Sequence, residues 1–225
     1  MTISPPLPAQ DFEEIVALRR DIHRHPELSG EEERTAERVR AALQRIGLES
    51  RLIGGTGVVA DIPGEVSGPI VAIRADLDAL PIQEETGLDF SSETAGVMHA
   101  CGHDGHSSMV YGAARLLLAG PPPPLPVRLL WQPAEEKGLG AKALIAEGVL
   151  EGVGAIFGGH VDRRARAGHL IVTDGPVNAS TDVFIIEISG QQGHGARPHE
   201  AVDAIVVGSL LVTALQTIVS REVDP

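Results

Sequence analysis

The sequence predicts an α/β fold, a mostly parallel sheet flanked by helices. Three observations carry that expectation. Short runs rich in Val, Ile and Leu alternate with longer amphipathic stretches; Gly or Pro bounds the runs; and acids and imidazoles fall just beyond their ends. Strands separated by helices in this way assemble into a largely parallel sheet.

The first element is a helix. Phe12, Ile15, Val16 and Ile22 share one face, and Pro26 ends it because proline disfavours helix at the residue before it. Ser29 followed by Glu32 reads as a capping box that opens a second helix, with Ala36, Val39, Leu43 and Ile46 inward and Gly47 as its stop. Buried strands follow at Gly57–Ile62, Ile70–Ala75, Val127–Gln132 and Gly154–Gly159. A helix over about Gly105–Leu118 precedes the third strand, with Met109, Val110, Ala113, Leu116 and Leu117 inward. The run Pro121–Pro124 is a stiff connector. Another helix, about Gly138–Leu150, separates the third and fourth strands.

After about Thr181 the pattern changes. Phe184, Ile186 and Ile188 alternate with polar neighbours over Asp182–Ser189, as in a half-exposed strand. The turn GQQGHGARPHE and a helix over about Ala201–Val219 come next. These features divide the chain into residues 1–180 and the beginning of a second domain, residues 181–225. One strand and one helix cannot close a core.

Composition narrows the function. The 225 residues are 43% hydrophobic and 22% charged, a globular balance with room for one large core or two small ones. A net charge of −13 with no basic cluster argues against nucleic acid, which demands cationic density against its phosphates. Only 3% of residues are aromatic, so stacking platforms for bases are not expected either. No apolar run is long enough for a membrane span, no leader is recognised, and the lone Cys101 excludes an internal disulfide. These features lead us to expect a cytoplasmic protein.

The chemistry sits at strand ends. The second apolar strand runs into Asp76 and Asp78, the third into Glu135 and Glu136, and the fourth into His160. Open α/β sheets bind ligands beyond the carboxyl ends of their strands, so these groups are aimed at one crevice. The segment His99-Ala-Cys101-Gly-His103-Asp104-Gly-His106 adds soft and borderline donors; Cys101 and His103, two apart on a Gly-containing loop, can turn toward one ion. Asp104 is placed to orient an imidazole. Of two adjacent glutamates, one can bind metal while the other takes a proton from water. Taken singly, His160 reads as a structural histidine and Glu135-Glu136 as a solvated turn; their ordered succession at strand ends favours the joint metal-site reading. His23 and His25 read as caps of the first helix, His169 and His199 as surface residues, and spacing leaves His194 undecided.

Five ordered segments, LRRDIHRHPELSGEE, IRADLDALPIQEETG, MHACGHDGHSSM, WQPAEEKGLGAKALI and HGARPH, resemble hippurate hydrolases and indole-acetyl-amino-acid hydrolases of the aminoacylase and carboxypeptidase superfamily. The resemblance implies a metallopeptidase-like catalytic domain followed by a ferredoxin-like satellite domain that makes a homodimer. It also implies two divalent ions (Zn, Mn or Co), with Cys101, His103, Glu136 and His160 as ligands and Glu135 as general base. Asp78 stands where the family keeps an acid behind the metals. His194 is similar to the satellite histidine that stabilises the oxyanion in the partner's site. The implied substrate is a small N-acyl amino acid.

Two small departures touch none of these residues: Gln192 precedes Gly193-His194, and Arg163-Arg164 follow Asp162. Family members are nearly twice as long, so the expected site holds at most four ligands from this chain. A non-catalytic metal-binding or dimerisation fragment is the alternative. A third reading makes Cys101 a nucleophile with His103 as its base.

Overall fold

In a computed structural model of the chain, residues 7–176 and 183–218 are described. The chain divides into two compact units, with the division between Ala167 and Gly168.

The first unit is built on a five-stranded sheet of order β1-β2-β4-β3-β5, comprising β1 (Arg51–Ile53), β2 (Gly57–Ile62), β3 (Ile70–Asp76), β4 (Val127–Gln132) and β5 (Val153–Gly158). The neighbours β4, β3 and β5 are parallel, with Ala75 opposite Trp131 and Arg74 opposite Gly158. Strands β1 and β2 add an antiparallel edge to the expected parallel core, because β1, which the sequence does not announce, forms a tight hairpin with β2. The three parallel strands are those whose ends carry the candidate site residues.

Strands β2, β3 and β4 divide their residues between two cores. Val58, Ala60, Ile62, Leu129 and Trp131 face one core with the helices α1 (Ala9–Arg24), α2 (Glu33–Arg45) and α3 (His103–Ala119); Val59, Ala72 and Leu130 face another with Leu144 of α4 (Gly140–Ala146). Leu18, Ile22, Val39 and Leu43 are almost wholly enclosed, each contributing about 1.5–3 kcal/mol of apolar burial. The Trp131 indole donates to Ser107 O at 3.1 Å, so the large ring enters the core without stranding its N–H.

Several sequence expectations need correction. Phe12 is exposed, and α1 buries Leu18, Ile22 and His23 instead. Met109 and Leu116 point outward, because α3 turns Val110, Tyr111 and Ala114 to the core. Ser29 and Glu32 form no capping box: both serve the candidate site, and the Glu27 carboxylate instead accepts from the N–H groups of Arg34 (3.0 Å) and Thr35 (2.7 Å) in the first turn of α2. Gly47, at φ +76°, does end that helix; Leu48 N donates to Leu43 O and Gly47 N to Gln44 O, the paired bonds of a Schellman stop. Strand β5 is at the sheet edge, pairing only with β3; Val153 at its start packs against the second core, while Ile156 and Phe157 are exposed.

In the second unit, Asp203 caps α5 (Ala204–Thr217), its Oδ1 accepting from Ile205 N and Val206 N. Residues 183–189 are not a strand, because no second strand lies beside them among the described residues; only Gln191 and Val202 form an isolated bridge. Residue 182 and the expected helix end at Val219 lie outside the described residues. Among the described residues, no helix is long and apolar enough to cross a membrane.

Candidate metal centre

Three parallel strands, all ending on one edge of the sheet, and the start of α3 build the site. Gly102, at φ +84°, lets the chain reverse from the loop carrying Cys101 into α3, whose first residue is His103. After β4, Ala134 takes a positive φ of 45°, a backbone state costly for a residue with a Cβ, and the turn points Glu135 and Glu136 back over the strand ends. The fully enclosed Glu32 holds that turn, accepting from Ala134 N at 2.7 Å, Gly30 N at 2.9 Å and Thr56 Oγ1 at 2.7 Å.

His103 is almost inaccessible, and its Nδ1 lies 3.2 Å from Asp78 Oδ1. The other Asp78 oxygen accepts from Ser29 Oγ at 2.6 Å and Glu136 N at 3.0 Å. Burial pushes the Asp78 carboxyl up, but the bonds from His103, Ser29 and Glu136 N outweigh it and hold the group well below the usual carboxylate range. An ionised Asp78 fixes the proton of His103 on Nδ1, leaving the Nε2 lone pair to point into the site. That Nε2 is buried without a hydrogen-bond partner, 3.7 Å from Glu136 Oε1 and 3.8 Å from Glu135 Oε2.

From the opposite side, Cys101 Sγ lies 3.2 Å from His160 Nε2, while His160 Nδ1 donates to Val161 O at 2.7 Å. Thus both candidate histidine ligands have Nδ1 held by an oxygen and Nε2 turned toward other candidate ligand atoms, His103 Nε2 without a hydrogen-bond partner and His160 Nε2 against Cys101 Sγ, the arrangement that orients imidazole toward a metal. Potential ligand atoms of Cys101, His103 and His160 lie within 4.8 Å of one another, as do those of His103, Glu135 and Glu136. An orphaned imidazole nitrogen, a thiol and several carboxylates fit a divalent cation of borderline softness.

The thiol chemistry speaks against the nucleophile reading of Cys101. Burial, then the charges of Glu136, Glu135 and Asp76, push its pKa up to about 12, the reverse of what an activated nucleophile requires. A cation among the same groups would reverse that field.

Sequence reasoning missed several participants. Ser29 gives no local signal of its contact with Asp78. Asp76, which the sequence did place among the strand-end acids, accepts from His106 Nδ1 at 2.7 Å and Arg74 Nη1 at 2.6 Å, contacts that the sequence does not announce. His106 could have been singled out, because residues three apart on a helix share a face with one another, here with His103. Asp104 binds His23 and Arg19 instead of a candidate ligand, so His23 is no helix cap; His25 is one, its Nδ1 2.9 Å from Asp21 O. His194 belongs to the second unit, where its Nδ1 accepts from Ala196 N at 3.1 Å in an exposed turn.

Fold and site together define a class, an α/β protein with a candidate metal centre at the carboxyl edge of its parallel strands. The chain belongs to peptidase family M20/M25/M40, whose family description matches residues 72–219. It is 45% identical over 219 residues to an N-acetyl-L-cysteine deacetylase of Bacillus subtilis, covering 94% of this chain and 51% of that protein. It is likewise 45% identical over 220 residues to an N-acyl-L-amino acid amidohydrolase of Geobacillus stearothermophilus, covering 94% of this chain and 58% of that one. Among solved structures, a dinuclear metal binding peptidase of the M20 family from Bacillus subtilis superposes with a TM-score of 0.66 at 43% identity, covering 69% of this chain and 44% of its own. The chain spans about half the length of the curated relatives it matches.

Proposed function

We propose that the protein of which this chain is a part is a metal-dependent amidohydrolase that cleaves the amide bond of small N-acyl amino acids. The observation that carries the reading is the convergence of the free Nε2 of His103 with Cys101, His160 and the carboxylates of Glu135 and Glu136. The amidohydrolase and deacetylase relatives support an acylated amino acid as substrate. Within that class we favour the hippurate and indole-acetyl-amino-acid branch, on the motifs quoted above.

In this reading Cys101, His103, Glu136 and His160 would supply this chain's share of the ligands to two ions of the zinc, manganese or cobalt type. Such ions supply Lewis acidity and lower the pKa of water to around 7. Glu135 takes the proton from the attacking water and passes it to the leaving amine nitrogen, so the bond to the acyl carbon breaks without expelling an amide anion. Asp78 keeps His103 in one tautomer throughout. His194 donates its Nε2 proton to the developing oxyanion from the satellite domain of a homodimer partner, that domain beginning near residue 181.

The test is hydrolysis of N-acetyl and N-benzoyl amino acids in the presence of zinc, manganese or cobalt. Glu135→Gln should lower turnover roughly 100- to 10,000-fold while leaving metal binding in place. Equal activity of the two proteins would remove Glu135 from its role. Metal binding without turnover under any of the three ions would favour the non-catalytic fragment.

A further inference from the structure

His106 lies within 4.8 Å of Asp76 and His103 and could be taken for another metal ligand. Its hydrogen bonds exclude that. Val161 N is 2.9 Å from Nε2, and since a backbone N–H only donates, Nε2 accepts and its lone pair is occupied. The ring proton therefore sits on Nδ1 and is donated to Asp76 Oδ1 at 2.7 Å. Asp76 is anchored by Arg74 Nη1 at 2.6 Å, and its own carbonyl accepts from Ser107 Oγ at 2.7 Å.

What this buried imidazole holds is the peptide of Val161. That same residue's carbonyl accepts the Nδ1 proton of His160, whose Nε2 faces Cys101 Sγ. The His106 and His160 rings meet edge to face with centroids 4.7 Å apart. Gly102 also packs closely on that residue: a Cβ there would come within 2.4 Å of Val161 Cγ2 and 4.0 Å of His106 Nε2. The segment beyond β5 is otherwise exposed at Gly159, His160 and Val161, while His106 is 2% exposed. One enclosed side chain thus fixes an exposed ligand-bearing segment at the end of an edge strand.

We propose that His106 is a positioning residue for His160, acting through the Val161 peptide on the Cys101–His160 half of the metal centre. The proposal rests on the reading of Cys101 and His160 as ligands. An oriented imidazole binds metal without first being ordered, and losing such support typically weakens affinity by about 10- to 100-fold.

Cobalt(II) alone is the probe. Its thiolate absorption band reports Cys101 directly, and the 225-residue chain is titrated with cobalt by that signal. His106→Leu should weaken the cobalt affinity by roughly 10- to 100-fold. His106→Gln, whose side-chain carbonyl reaches the Val161 N–H, should recover most of the loss; the shorter His106→Asn should not. In a His160→Ala background, His106→Leu should cost nothing further. Urea unfolding of each metal-free variant reports whether the fold survives, and if His106→Leu does not fold, the Gln and Asn pair decides.

Unchanged affinity in His106→Leu, equal affinity of the Gln and Asn variants, or an undiminished effect once His160 is gone would each overturn the positioning role. A His160→Ala variant that binds cobalt like the wild type would instead overturn the ligand reading itself, which separates the two failures.

Discussion

His23 shows how much a single side chain can carry outside the metal centre. It is 3% exposed, with Nδ1 2.9 Å from Asp104 Oδ2 and Nε2 3.2 Å from Glu84 Oε1, so it ties α1 to the start of α3 and to the loop after β3. The bond to Asp104 raises its pKa most; burial opposes this, and the charges of Asp104 and Glu84 add to the rise. A folded value above the 6.5 of an ordinary histidine means the charged imidazole stabilises the fold fully below that pH. The contribution fades as pH climbs through the folded value. His23→Gln should therefore lose about 2 kcal/mol at pH 6, with the gap to wild type closing in alkaline buffer. Urea unfolding at a series of pH values checks this, and a gap that stays constant would show that His23 acts as a neutral spacer.

At the level of elements, the turn between β4 and α4 is the tightest joint in the first unit. A Cβ on Gly140 would fall 1.5 Å from Pro133 O, a backbone atom unable to step aside. Ala134 O also receives Leu139 N and Gly140 N, so the first residue of α4 is locked against the turn that presents Glu135 and Glu136. We expect Gly140→Ala to destabilise the chain by about 3 kcal/mol, the upper end of overpacking costs. Denaturant unfolding measures it, and a loss below about 0.5 kcal/mol, the level of an ordinary surface change, would mean the turn relaxes freely. The same joint explains why Glu32 is enclosed: its carboxylate answers the N–H of Ala134, which the strained turn would otherwise leave unpaired.

Across the whole molecule, the two units bury their apolar residues very differently. Of the described residues in the second unit, Ile205 is 80% exposed, Leu210 66% and Val183 89%. Apolar surface of that extent drives association. The chain should therefore self-associate as its concentration rises, and Val206→Lys with Leu210→Lys, one helical turn apart on α5, should keep it monomeric. Sedimentation velocity over a concentration series tests this; a wild-type chain that stays monomeric throughout would show that the face is tolerated in water.

Local pattern determined the strands β2 to β5 nearly to the residue, the Gly47 stop and the strand-end positions of Asp78, Glu135, Glu136 and His160, because periodicity and Gly or Pro punctuation act over a few neighbours. The different roles proposed for Glu135 and Glu136 rest on family motifs, not on spacing. The sequence by itself did not reveal that Ser29 serves Asp78, that Glu32 supports Ala134, or that His106 reaches Val161, since these partners are 49, 102 and 55 residues apart. Nor did it reveal the antiparallel edge or the outward turn of Met109. Tertiary packing decided all of these, because a buried polar group takes whichever partner the fold brings within about 3 Å, and no local rule encodes that partner.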